Sequence, residues 1–215
     1  MSRTIFVTGG TGYLGRPLVA QLLERGHRVH ALARRGSEGK LPAGATPVLG
    51  NALVAATFAE QIPSGATCVQ LVGVPKPNPS KAREFREIDL ASALASVAAA
   101  RAARAEHFVY VSVAQPAPVM RAYVAARQEA EAAIRASGLN ATFLRPWYIL
   151  GPGHYWPYVL VPIYTLLELI PATRAQALRL GLVTHAQMLT ALVRSVEAPA
   201  QGTRIVEVPE IRDAP

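Results

Sequence analysis

The stretch Thr4-Ile5-Phe6-Val7-Thr8-Gly9-Gly10-Thr11-Gly12-Tyr13-Leu14-Gly15 decides the fold. Residues 5–7 are apolar and read as a short buried strand. Glycines follow at 9, 12 and 15, and a helical pattern then runs to Glu24, ended by Arg25-Gly26. One glycine permits a tight turn, the next lets the backbone approach a pyrophosphate, and the last allows close helix–strand packing. The helix N-terminus adds free N–H groups and a partial positive charge. Strand, glycine turn and helix in this order separate a dinucleotide-binding turn from a chance glycine triplet. Thr8, Gly9, Thr11, Gly12, Tyr13, Leu14 and Gly15 are therefore candidate cofactor contacts.

About 20 residues beyond such a turn, the end of the second strand discriminates between dinucleotides. An acid there would hold a ribose 2′-hydroxyl and favour NAD. Positions 34 and 35 are both arginine. A guanidinium pair can clamp a 2′-phosphate through charge-assisted hydrogen bonds. NADP is expected ahead of NAD, with NAD the alternative and a pair of solvated arginines the plainer reading of Arg34 and Arg35.

The pattern continues outward. Residues 27–33, 48–50, 67–73, 108–113 and 141–144 read as strands. A helix is expected from a Ser80 cap to about 105, and another over 120–137, closed by Gly138. Thr184-His185-Ala186-Gln187 matches a capping box opening a helix to about 197, and 203–208 reads as a final strand. Strands alternating with helices imply right-handed βαβ units and a parallel sheet covered on both faces. The expected fold is α/β, a Rossmann-type doubly wound parallel sheet in one domain over 1–215. Residues 1–150 would form the cofactor-binding core and 151–215 a small C-terminal, substrate-side appendage.

The chain resembles the short-chain dehydrogenase/reductase superfamily, in its atypical, epimerase/dehydratase-like and NmrA-like branch. The turn 8–15 is similar to that branch's TGxxGxxG. Gly50-Asn51 stands where the branch often has Gly-Asp at the adenine. Leu71-Val72-Gly73 occupies the fourth-strand end that lines the cofactor. Tyr110-Val111-Ser112 is similar to its fifth-strand YVS, and Arg145-Pro146 with Gly151-Pro152-Gly153 to its RP…GPG signature. The resemblance implies that Gly50, Asn51, Leu71, Val72, Gly73 and Pro146 also contact the cofactor. It implies that Ser112 hydrogen-bonds a substrate carbonyl and that Tyr123 handles the proton.

The family's Tyr-x-x-x-Lys stands here as Tyr123-Val124-Ala125-Ala126-Arg127. Residues four apart share a helix face, so phenol and guanidinium can lie side by side. A phenol titrates near 10, and an adjacent cation favours its phenolate. Arg127 can supply that charge and bind ribose hydroxyls, but it cannot pass on a proton. Asp89 stands where extended relatives often place an active-site Asn, but the plainer reading, an ordinary polar helix residue, is preferred. Trp147, Tyr148, Tyr155, Trp156 and Tyr158 would cluster at the nicotinamide end, with His154 beside them.

Composition narrows the alternatives. The chain has 215 residues, is 51% hydrophobic, and carries a net charge of +8. That apolar fraction excludes a disordered chain. One cysteine excludes a disulfide framework, and the five histidines lack paired spacing, so no metal site is expected. No run of five basic residues marks a nucleic-acid arm, and no nucleic-acid partner is expected. The apolar stretch 156–170 falls short of the ~20 residues of a spanning helix. It could instead dock peripherally on a membrane or a partner. The reading is a cytoplasmic monomer or homodimer acting on a small molecule. Hydride would pass between NADP(H) and an apolar carbonyl, alcohol or quinone-like substrate. The alternative is a non-catalytic NADP-binding redox sensor or accessory subunit.

Overall fold

Strands and helices alternate as the periodicity requires. In chain order they are β1 (Thr4–Thr8), α1 (Gly15–Glu24), β2 (Arg28–Ala33), β3 (Thr46–Leu49), β4 (Thr67–Gln70), α2 (Ala82–Glu84), α3 (Ala91–Ala102), β5 (His107–Val111), α4 (Arg121–Ala136) and β6 (Ala141–Leu144). There follow β7 (Tyr148–Leu150), α5 (Val161–Leu169), α6 (Pro171–Arg179), β8 (Leu182–Thr184), α7 (His185–Glu197), β9 (Thr203–Val206) and α8 (Val208–Arg212). The computed structural model describes residues 2–153 and 155–213, apart from the Trp156 side chain. His154 and that indole, both expected near the nicotinamide end, lie outside the described residues.

Seven strands form one sheet in the order β3-β2-β1-β4-β5-β6-β9, every pair parallel. The chain runs outward in one direction from β1 to β3, then returns to start the other half at β4. The crevice at the strand ends between β1 and β4 is the topological switch point where such sheets bind ligands. Side chains alternate across the sheet. Ile5, Val7, Val69 and Val109 pack under α1 and α7, whereas Phe6, Cys68, Phe108 and Phe143 pack with the face that carries α3 and α4. Cys68 is a buried small hydrophobe, its thiol pushed up to about 12 by burial.

Several boundaries differ from the sequence reading, each for a local reason. The helix after the proline-rich loop is capped by Asn78, whose side chain accepts from the Ser80 N–H, rather than by Ser80. That helix is not uniform, because residues Phe85–Leu90 widen into a π-helical stretch before α3. The expected capping box at Thr184 and Gln187 is present. Gly138 follows α4 at φ +76°, the left-handed conformation that ends a helix. Residues 151–215 contribute to the same core. The strand β9 is the seventh of the central sheet, α7 lies in its core, and β7 and β8 form a separate two-stranded sheet from which Val183 reaches that core. Among the described residues, no helix is long and apolar enough to cross a membrane.

Candidate functional site

A cleft of about 430 Å³ opens at the C-terminal ends of the strands. Backbone builds its floor. Gly9 turns the chain out of β1 at φ +76°, and a Cβ there would stand 3.0 Å from the Leu71 carbonyl carbon and the Val72 nitrogen. A Cβ on Gly15 would collide with the Gly9 carbonyl oxygen. The Gly12 N–H donates to that same carbonyl at 2.9 Å and closes the turn. Bare backbone facing a helix start can hold a pyrophosphate, and the apolar walls at Leu32, Ala33 and Leu53 can hold an adenine. The residues present fit a dinucleotide.

Most of the expected contacts meet at this cleft. Gly9, Thr11, Gly12, Arg34, Gly50, Asn51, Leu71, Val72 and Gly73 all line it. The Asn51 side chain accepts from the Leu53 N–H at 3.0 Å, which fixes the loop. Others do not reach it. Thr8 is buried, its hydroxyl donating to Gln70 Oε1 at 2.5 Å. The Tyr13 ring turns away to meet His185 edge-on, with centroids 4.5 Å apart. Leu14 packs against the core beneath the sheet. Arg35 is exposed and does not line the cleft. Packing and hydrogen bonds thus turn the Thr8 and Leu14 side chains inward, whereas Tyr13 lies at the surface against His185. Gln70 was missed by the sequence reading. Its Oε1 also accepts from the Val72 N–H at 2.8 Å and holds the loop after β4.

A second cavity, about 420 Å³, lies beyond the same loop. Gly73 and Pro75 wall the first space, and Lys76 and Pro77 the second. Ser112, Tyr123 and Pro146 line this second cavity together with Trp147, Tyr148 and Tyr155. Pro146 therefore lines the second cavity rather than the first cleft. Tyr158 is about half exposed and does not line it.

Beneath Tyr123 lies a charge network. Arg127 is buried and places its guanidinium 5.0 Å from the Tyr123 ring centroid. It donates to the Val111 carbonyl at 2.7 Å, to the Tyr110 hydroxyl at 3.3 Å, and to Asp89. Asp89, fully buried in the π-helical stretch, also accepts from the Val74 N–H at 3.0 Å. A Cβ on Gly73 would stand 2.7 Å from Arg127 Nη2, so the glycine makes room for this pair. Burial pushes the Tyr123 phenol above its ordinary value, against the pull of the Arg127 charge. Burial likewise pushes the Tyr110 phenol up to about 12. Asp89 thus holds Arg127 in place and neutralises part of its charge.

A second network surrounds Glu131, one turn further along α4. Arg145 donates Nε to Oε1 at 2.9 Å and Nη2 to Oε2 at 2.6 Å. Ser112 donates to Oε1 at 2.6 Å. Burial alone would raise the Glu131 carboxyl, but the hydrogen bonds from Arg145 and Ser112 and the nearby charges hold it below the usual range. Sequence reasoning missed Glu131. The signal was its spacing, since Tyr123, Arg127 and Glu131 recur every four residues on one helix face.

A strand–glycine–helix turn at the switch point, with a cleft at the strand ends, defines a dinucleotide-binding α/β protein. Residues 9–154 match the NAD(P)H-binding family, and the chain belongs to it. It is 27% identical over 210 residues to the ceramide reductase of Caulobacter vibrioides, covering 97% of this chain and 65% of that protein. A Stigmatella aurantiaca 4-hydroxy-2-methyl-3-oxo-4-farnesyl-3,4-dihydroquinoline-1-oxide ketoreductase is 34% identical over 109 residues, 50% of this chain and 32% of that protein. The chain thus spans less than two thirds of the length of either relative. Among solved structures, the Bordetella bronchiseptica enzyme WbmH in complex with NAD+ aligns with a TM-score of 0.70 at 18% identity, covering 96% of this chain and 76% of that one. The shared fold is that of an NAD-binding protein.

Proposed function

We propose that this protein is an NADP(H)-dependent ketone reductase acting on an apolar substrate. The observation that carries the reading is the Tyr123 phenol, set in the wall of an aromatic cavity that shares a loop with the dinucleotide cleft. Burial raises its pKa, so the phenol is protonated at neutral pH and suited to donate rather than to abstract. A bound NADPH would supply hydride to the carbonyl carbon. Tyr123 gives its proton to the carbonyl oxygen as negative charge develops there, and a secondary alcohol results. Arg127 stands beside the ring and favours the phenolate left behind. Asp89 is its positioning partner. Arg34, at the mouth of the cleft, takes the 2′-phosphate, with Arg35 adding charge from outside. Asn51 faces the adenine. The names of the two relatives support the direction. Both are reductases, and the second acts on a compound with a 3-oxo group and a farnesyl chain.

One observation favours a second reading, a non-catalytic NADP-binding redox sensor. Asp89 engages the guanidinium that stands where the family's lysine would act. A Tyr123→Phe variant separates the two. NADPH oxidation is followed at 340 nm with a panel of aryl ketones, and NADPH affinity by fluorescence titration. The reductase reading expects the rate constant to fall by about a hundredfold or more, with NADPH affinity within about twofold. Equal rates in both proteins would remove Tyr123 from the chemistry, and no turnover in the wild type would favour the sensor.

A further inference from the structure

Glu131 and Ser112 are both buried, at 1% and 2% exposure, yet Ser112 lines the second cavity. The donors around Glu131 fix its state. Arg145 reaches both carboxylate oxygens, Arg135 Nη2 lies 3.1 Å from Oε2, and Gln115 Nε2 lies 2.9 Å from Oε1. A carboxylate held this way is ionised and has only lone pairs to offer. In the 2.6 Å contact with Oε1, the Ser112 hydroxyl must therefore be the donor. A hydroxyl has one proton. With that proton committed to Glu131, the Ser112 oxygen offers the cavity lone pairs alone. A ketone oxygen is itself only an acceptor and gains nothing there. The resemblance-based role of Ser112, donation to a substrate carbonyl, does not survive this geometry.

We propose that Glu131 fixes Ser112 as an acceptor, so that the substrate is a ketone with a hydroxyl on the neighbouring carbon. The carbonyl accepts from Tyr123 and the hydroxyl donates to Ser112. This rests on the ketone-reductase reading above. An α-hydroxy ketone presents one acceptor and one donor on adjacent carbons, complementing the donor of Tyr123 and the acceptor of Ser112 that line the same cavity. Val111, Val113, Trp147 and Ile149 make the surrounding wall apolar, so the groups flanking the two oxygens are hydrophobic. Reduction, with hydride from NADPH and the proton from Tyr123, gives a vicinal diol. Glu131 touches neither substrate nor cofactor and is a positioning residue. Ser112 determines specificity.

Benzoin and deoxybenzoin differ only in this hydroxyl and serve as the probes. Two quantities are read for each ketone: kcat/KM with NADPH, and equilibrium binding to the NADP⁺-loaded protein by tryptophan fluorescence. The wild type is expected to prefer benzoin by about tenfold or more in both, since deoxybenzoin leaves the Ser112 oxygen unpaired. In Glu131→Gln the amide can donate to Ser112 and release its proton, and the preference is expected to fall within about threefold. Ser112→Ala should lose it as well. A purely structural lesion lowers both ketones together and leaves the ratio intact. A wild type that treats the two ketones alike, or binds neither, overturns the proposal. So does a Glu131→Gln protein that keeps the full preference. If Glu131→Gln fails to fold, the wild-type ratio and Ser112→Ala decide. A binding preference without turnover supports the hydroxyl assignment and overturns the reductase reading, whereas turnover of both ketones without preference does the reverse.

Discussion

The two cavities are nearly equal in size and are built from different materials. The dinucleotide cleft is made by backbone: strand ends, a glycine turn and a loop pinned by Gln70. The second cavity is lined largely by side chains, among them Tyr123, which lies against the buried Arg127–Asp89 pair, and Ser112, which hydrogen-bonds Glu131 of the Arg145 pair. Backbone sites tolerate most side-chain changes but no added Cβ at a close approach. Side-chain sites tolerate changes in neighbouring backbone but no loss of a partner. The difference teaches where each site is vulnerable, and three substitutions measure it.

The largest effect is expected at Gly15. Its new Cβ in Gly15→Ala would collide with backbone, the Gly9 carbonyl, which has no rotamer to escape into. NADPH affinity should fall by about a hundredfold or more, with a lowered melting temperature, because the turn itself must shift. Near-wild-type NADPH binding by titration would break the claim that this cleft is defined by its backbone.

Asp89→Ala comes next. It leaves the Arg127 guanidinium buried without its carboxylate, a loss of about 3–5 kcal/mol. For a chain of this length that lowers the melting temperature by about 10 °C. The double variant Asp89→Ala/Arg127→Leu should recover most of the loss, since removing both charges relieves the desolvation that removing one exposes. NADPH affinity should change much less than in Gly15→Ala. A melting temperature within a degree or two of wild type would mean that solvent reaches Arg127, and the pair would not be the brace described here.

The same contrast explains what could be read from the chain. The cleft was legible because its determinants are local: three glycines at fixed spacing, a strand before and a helix after. Both arginines were visible too, although only Arg34 lines the cleft. The networks were not legible, because their members meet from distant segments. Asp89 reaches Arg127 across 38 positions, and Arg145 reaches Glu131 across 14. Neither distance leaves a periodic trace. The π-helical stretch that turns Asp89 inward has no signature in an apolar pattern of helical spacing. The place of β9 in the central sheet was not legible for a related reason. Pairing between β6 and β9 is set by the sheet's open edge, which no local pattern records.

The smallest effect is expected at the one place in the backbone-built cleft where a side chain decides. Arg34 is exposed at the rim, with Leu32 and Ala33 beneath it and the Gly50 loop opposite. In Arg34→Ala nothing packs differently, so the melting temperature should stay within about 1 °C, as for an ordinary surface change. On the proposed reading, what is lost is one charge-assisted contact to a 2′-phosphate. An exposed contact of this kind contributes about 1.5 kcal/mol, so the dissociation constant for NADPH should rise about tenfold. NADH has no 2′-phosphate, and its affinity should not move. Added salt should weaken NADPH binding to the wild type and have little effect on the variant, because exposed charges are screened. Tighter binding of NADH than NADPH by the wild type would overturn the cofactor preference. An equal loss for both dinucleotides in the variant would place Arg34 on the pyrophosphate instead, and the cleft would then depend on side chains more than the comparison allows.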